Sequence, residues 1–176
     1  MDISSGCADN IVLIGFMGAG KSTVGRRLAR RSGRYFLDAD ALIETACGKA
    51  VRSIFDEEGE AYFRELERES AGWLAECVRG SIVSTGGGMP MVVERLRDIG
   101  TVVYLKLPFE KILRRISPQE RAKRPLFRDP AEARKLFETR AAIYEKQAQI
   151  TVDADRDVES IVEEILAELN DGKNGV

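Results

Sequence analysis

The stretch Gly15-Phe16-Met17-Gly18-Ala19-Gly20-Lys21-Ser22 carries the most specific chemistry in the chain. It follows the apolar run Ile11–Ile14 and opens an amphipathic stretch from Thr23 to Ser32, which reads as strand, glycine-rich turn and helix. Glycines let successive backbone N–H groups turn inward around a polyanion, and a helix N-terminus adds positive potential. Gly18, Ala19, Gly20 and Thr23 fall in that cradle, and Lys21 supplies a mobile point charge. Ser22 offers a hydroxyl to Mg²⁺, a hard cation that takes oxygen ligands. The combination reads as a phosphate-binding loop for a nucleoside triphosphate; the bland alternative is a helix-opening glycine turn.

Two further groups fall where such a loop could use them. Asp38 and Asp40 follow the run Tyr35–Leu37, and ligands of parallel α/β sheets bind beyond the carboxyl ends of strands. If the extended geometry persists, both carboxylates point to one side. One could then reach Mg²⁺ through a water while the other accepts a proton from an attacking hydroxyl. Asp40 could equally cap a helix beginning at Ala41. Gly86-Gly87-Gly88 follows the run Ser81–Ser84 and allows close backbone approach to a ligand, or only a tight turn. Arg64 and Arg140 are lone arginines on helical patterns, and by themselves they read as surface charges.

The elements that must position these groups are legible as an alternation. Short β-rich runs recur at Ile11–Ile14, Tyr35–Leu37, Ser81–Ser84, Thr101–Leu105 and Gln149–Val152, separated by helical patterns. That order predicts parallel βαβ units in a three-layer α/β sheet. Val158, Ile161, Ile165 and Leu169 share one face of a last helix, and the polar tail Asn170–Val176 is expected to fray. Asp38 to Arg79 holds a series of helical patterns, an insertion where a substrate cap could sit. Its later part repeats Phe63, Leu66, Trp73, Leu74 and Val78 as a core-facing stripe. Ser117 to Pro130 carries prolines among polar residues, with Arg121, Lys123, Arg124 and Arg128. A basic loop of that length beside a phosphate site reads as a lid, and otherwise as a solvated charged loop.

Composition narrows the classes. A chain of 176 residues, 44% hydrophobic and 32% charged, fits one compact domain. The net charge of −2 argues against nucleic acid or a membrane surface as an electrostatic partner. No apolar stretch approaches the ~20 residues of a membrane span, and the polar first nine residues show no signal-peptide pattern. Cys7, Cys47 and Cys77 are odd in number and widely spaced, which fits reduced thiols in the cytoplasm. With no histidine in the chain, His-based triads are excluded and any general base is expected to be a carboxylate. Asp56-Glu57-Glu58-Gly59 matches a GTPase-type D-x-x-G, but it lies in a helical acidic stretch and no Asn-Lys-x-Asp accompanies it, so that reading is rejected.

Taken together these residues closely resemble the shikimate kinase family, from about Asn10 to Leu169. Phe36-Leu37-Asp38-Ala39-Asp40 resembles its F-x-D-x-D segment, and Phe55 through Arg64 its F-x-x-x-G-E-x-x-F-R signature. The Gly86–Gly88 triplet, Arg124-Pro125-Leu126 and Thr139 to Tyr144 match in order and spacing. The resemblance implies a nucleoside-monophosphate-kinase-like fold with five parallel strands in the order 2-3-1-4-5. It also implies transfer of the ATP γ-phosphoryl to the 3-hydroxyl of shikimate, with Mg²⁺, by a cytoplasmic monomer.

By the same resemblance, Asp40 holds the shikimate hydroxyls and takes the proton, and Arg64 and Arg140 clamp the substrate carboxylate. Gly87 presents a backbone N–H between Gly86 and Gly88. Asp38 reaches Mg²⁺ through water, with Ser22 as a direct ligand. Arg124 closes over the phosphates, and Arg115 and Arg156 line the adenine pocket. Met89-Pro90-Met91 departs from the small or polar residues more usual there, and the lid is a couple of residues longer than in some members. Another small-molecule kinase, such as a gluconate kinase, and a catalytically silent binder of nucleotide or shikimate are the competing readings.

Overall fold

The computed structural model describes residues 9–116 and 129–174. Five strands, β1 (Asn10–Ile14), β2 (Tyr35–Asp38), β3 (Ser81–Ser84), β4 (Gly100–Lys106) and β5 (Ile150–Asp153), form one sheet in the order β2-β3-β1-β4-β5. Every neighbouring pair is parallel, with Val12 opposite Val83 on one side and Val102 on the other. The alternation and the strand order are therefore both as expected. Ile11 through Ile14 are at most 2% exposed, as befits a central strand covered on both faces.

The helices are α1 (Lys21–Ser32), α2 (Ala39–Cys47), α3 (Val51–Cys77), α4 (Met89–Val92), α5 (Phe109–Arg115), α6 (Pro130–Gln147) and α7 (Val158–Asn174). α1 buries Val24, Gly25, Leu28 and Ala29. Gly25 has a packing reason: a β-carbon there would overlap the Phe36 ring of β2. The helix ends at Gly33, whose left-handed backbone (φ 67°) directs its N–H to the Ala29 carbonyl.

The insertion between β2 and β3 is α2 and α3, and α3 is broken at Gly59 (φ 86°, ψ 169°). That conformation is open almost exclusively to glycine. Phe55 and Phe63 pack across the break with ring centroids 4.6 Å apart, and Phe63 joins Ile43 and Ile54 in a small second core. The F-x-x-x-G-E-x-x-F-R spacing thus encodes a bent helix pinned by two aromatic rings, with Arg64 one residue beyond the second. No atom lies within 4 Å of a β-carbon placed at Gly59. Gly59→Ala therefore isolates backbone strain, and denaturant unfolding should show a loss of about 1–3 kcal/mol. Unchanged stability would mean that the bend relaxes without cost.

One detail departs from the sequence reading. Trp73 is 49% exposed, and the buried stripe runs Phe63, Glu67, Ala71 and Leu74 along α3 and on to Val78 just past its end. Adjacent helical positions are rotated by about 100°, so a face centred on Leu74 turns Trp73 outward. The last helix runs through Asn174, with the part-buried Leu166 and Leu169 packed against the core beside Ile161 and Ile165. Cys47 and Cys77 are free thiols, while Cys7 lies outside the described residues. No described helix is long and apolar enough to cross a membrane.

Candidate active site

The loop between β1 and α1 has the backbone its glycines foretell. Gly15, Gly18 and Gly20 all have positive φ (148°, 82° and 97°). A β-carbon at Gly15 would come within 2.9 Å of the Leu105 carbonyl, and one at Gly18 within 3.1 Å of Ile116. The Ala19 N–H closes the turn on the Phe16 carbonyl at 3.1 Å. Lys21 Nζ folds back over the loop and donates to the Gly15 carbonyl at 2.8 Å and the Phe16 carbonyl at 3.2 Å.

Beside this loop β2 ends and α2 begins without a connecting segment. The extended geometry stops at Asp38, and it is Asp38, not Asp40, that caps the helix, accepting from the Asp40 and Ala41 N–H groups. The strand simply turns into helix two positions earlier than the run Ala41-Leu42-Ile43 implied. Ser22 Oγ donates to Asp38 Oδ2 at 3.2 Å, which joins the capping carboxylate to the phosphate loop. Asp40 reaches the same cleft from the first turn of α2. The cleft, of about 440 Å³, is lined by Met17, Gly18 and Gly20 to Thr23 on one side, Asp38 and Asp40 on another, and Ser84 to Gly87 on a third.

Asp40 has the electrostatics of a working group. Its Oδ1 is buried with no hydrogen-bond partner among the described residues. A β-carbon at Gly86 would overlap that oxygen, so the first glycine of the triplet makes room for the carboxylate. Burial, and next the neighbouring Asp38 carboxylate, push the Asp40 pKa above the ordinary aspartate value, with Lys21 and Arg64 offsetting part of the rise.

The two arginines are not surface charges. Arg64, with its side chain 15% exposed, lies against the triplet so closely that a β-carbon at Gly88 would overlap its guanidinium. Arg140 Nη1 lies 3.5 Å from the β-carbon position of Gly87. α3 and α6 therefore deliver their guanidinium groups to adjacent glycines. Arg140 also keeps a buried Nε with no hydrogen-bond partner among the described residues.

Sequence reasoning missed Glu67. It is fully buried and accepts from Arg64 Nη1 at 2.6 Å. Burial raises its pKa despite the Arg64 contact, and its second oxygen has no hydrogen-bond partner among the described residues. A signal was present: the stripe Phe63, Glu67, Ala71, Leu74, Val78 is regular only if an acid is allowed into it. The exposed Glu60 takes Arg64 from the other side, accepting from Nε at 3.1 Å and Nη2 at 2.7 Å.

Arg115 lies beside the phosphate loop, 3.9 Å from the β-carbon position of Gly20, and donates to the Ala154 carbonyl at 2.8 Å. Arg156 sits on the turn after β5, donating to the Asp153 carbonyl and paired with Glu164. Neither lines the cleft that holds Asp40. Arg124 and most of the expected lid lie outside the described residues. Among the described residues no three His, Cys, Asp or Glu side chains gather into a metal-holding group. The hard-oxygen donors beside the loop are the Ser22 hydroxyl and the Asp38 carboxylate, a pair suited to a Mg²⁺ ion that takes its other ligands from phosphate and water.

Comparison with known proteins bears on this geometry. A family model described as shikimate kinase matches residues 17–170. A shikimate kinase from Helicobacter hepaticus is 42% identical over 158 residues, which cover 90% of this chain and 94% of its own. A solved shikimate kinase from Acinetobacter baumannii, in complex with shikimate, is similar with a TM-score of 0.84 at 34% identity, covering 94% of this chain and 95% of its own. A gluconokinase from Sinorhizobium meliloti is similar with a TM-score of 0.58 at 19% identity over 93% of each chain, a likeness of fold alone.

Proposed function

The chain belongs to the shikimate kinase family, and from that premise we propose that it transfers the γ-phosphoryl group of ATP to the 3-hydroxyl of shikimate. The products are shikimate 3-phosphate and ADP, in the route to chorismate and the aromatic amino acids. One observation carries the reading: a buried carboxylate lacking a hydrogen-bond partner among the described residues, Asp40, shares a cleft with the phosphate loop, while two guanidinium groups meet at the glycines on its far side. That arrangement suits a small acceptor with a carboxylate at one end and hydroxyls at the other.

The division of labour follows from the chemistry of each group. The backbone of Gly18 to Thr23 cradles the phosphates and Lys21 counters their charge. Ser22, with Asp38 through a water, would hold Mg²⁺, which when bound neutralises phosphate oxygens. Asp40 orients the attacking hydroxyl and receives its proton. Arg64 and Arg140 take the substrate carboxylate, a task that suits planar bidentate donors. The Arg64–Glu60 pair, a carboxylate on a guanidinium fork, is the contact a substrate carboxylate would replace. Arg124 closes over the phosphates, while Arg115 and Arg156 border the adenine.

In this reading residues 1–176 form one kinase domain, with 38–79 as the substrate-binding insertion and 117–130 as the lid. Lid closure excludes water, the competing acceptor. The enzyme works as a cytoplasmic monomer without nucleic acid or membrane partners.

The reading is tested by coupled ADP release from Mg²⁺-ATP with shikimate, gluconate and nucleoside monophosphates in parallel. Turnover with shikimate alone is the expected result. Turnover with another acceptor would keep the phosphate loop and overturn the substrate pocket. Tight ATP binding without turnover would favour a silent binder.

The arginine clamp has its own test. Arg64→Ala should weaken shikimate binding far more than ATP binding. It also strands buried Glu67, at a cost of about 3–5 kcal/mol of folding stability. Arg64→Lys keeps a cation for Glu67 but loses the fork, and should raise the KM for shikimate roughly tenfold or more while leaving the KM for ATP within about twofold. Equal effects on both substrates would contradict the position assigned to Arg64.

A further inference from the structure

The glycine triplet poses a mechanical problem. Three consecutive residues without side chains have wide backbone freedom, yet Asp40, Arg140 and Arg64 each lie against one of them in turn. Something must fix the triplet if the three groups are to share one ligand.

Tyr144 supplies that fixed point. It lies on α6 one turn after Arg140, is fully buried, and donates its hydroxyl hydrogen to the Gly87 carbonyl at 2.6 Å. The Arg140 guanidinium borders the same residue, with its Nη1 3.5 Å and the Tyr144 hydroxyl 3.6 Å from the β-carbon position of Gly87. The ring itself is held against Tyr104, with centroids 5.4 Å apart.

We propose that Tyr144 is a positioning residue for the acceptor site: its hydroxyl locks the Gly87–Gly88 peptide in place beside Arg140. The Gly87 carbonyl and the Gly88 N–H belong to one planar unit, so anchoring the oxygen sets the direction of the N–H. The same peptide borders Arg64 through the Gly88 position. One phenol therefore fixes the turn that both arms of the carboxylate clamp border and that faces Asp40. Burial holds the phenol well above its ordinary pKa, so it remains a proton donor throughout the neutral range. This assignment rests on the acceptor site proposed above.

The test is Tyr144→Phe, which deletes one oxygen and leaves the ring, with Tyr144→Leu as a packing control. Two readouts are taken. The KM for shikimate should rise roughly tenfold in Tyr144→Phe, with the KM for ATP and the melting temperature little changed. Amide hydrogen exchange should speed up about tenfold at Gly86 to Gly88, but not in the core strand Asn10–Ile14, where an opening of similar size would mean general unfolding. A merely structural Tyr144 predicts a Phe variant indistinguishable from wild type and harm only from Leu, which would overturn the proposal. If the parent protein does not phosphorylate shikimate, the activity reading fails. Triplet exchange in Tyr144→Phe then decides this inference by itself, and unchanged protection would end it.

Discussion

Replacing Lys21 with methionine is expected to abolish turnover, with a loss of at least ~1000-fold. Methionine keeps the length and removes the charge. The loop should survive, because its shape comes from Gly15, Gly18 and Gly20 in positive-φ conformations and from the Ala19–Phe16 turn, not from the lysine. What is lost is the cation that can swing from the Gly15 and Phe16 carbonyls onto a transferring phosphoryl group. Single-turnover ADP formation beside a thermal melt separates the two effects. A folded variant with activity near wild type would remove the phosphate loop from the mechanism.

Asp40→Asn should lower kcat by at least ~100-fold, the ordinary contribution of a positioned base. It should also stabilise the free protein. Burial raises the Asp40 pKa in the folded state, so the native protein holds this proton to higher pH than the unfolded chain does. The group's contribution to stability is fully present below its unfolded value and is lost as pH rises through the folded one. At neutral pH it is therefore a burden, and Asn should melt higher than Asp, with the gap closing in acid. Activity runs the other way, since kcat/KM should fall as pH drops through the raised pKa and the base becomes protonated. An Asn variant that turns over within a few-fold of wild type would mean that the hydroxyl needs no specific base. One that melts lower would mean that the buried carboxylate is satisfied in solution.

These two residues were legible in the sequence because their chemistry is local. A glycine cradle, a lysine and a serine at fixed spacing specify a phosphate loop whatever surrounds them. The pair Asp38 and Asp40 was legible as a pair, but their division of labour was not. Which of them caps α2 depends on where strand yields to helix, and a two-residue shift exchanges the roles.

Arg64 and Arg140 carried no local signal, since their meaning is tertiary. They come from helices 76 positions apart in the chain and meet only because α3 and α6 flank one glycine turn. The resemblance of the flanking motifs supplied them, and spacing could not. Glu67 hid in the run Glu65-Leu66-Glu67-Arg68-Glu69, where an acid reads as solvated. Trp73 misled for the converse reason: a large apolar side chain drew the stripe toward itself, while the small Ala71 occupied the buried position. Tyr144 fell inside a recognised segment, yet its hydroxyl acts on a carbonyl 57 residues away. The general pattern is physical. Backbone-shaping residues announce themselves, whereas groups that act by converging become visible only once the sheet order has placed them.

The most direct measurement is the identity of the phosphorylated product. Wild-type protein incubated with Mg²⁺-ATP and shikimate is followed by phosphorus NMR and mass spectrometry of the small molecules. The expected result is one new phosphate monoester on the 3-oxygen of shikimate, formed in equal amount with ADP and absent when shikimate is left out. ADP accompanied only by inorganic phosphate, or a phosphate carried by a different acceptor, would contradict the account at its centre.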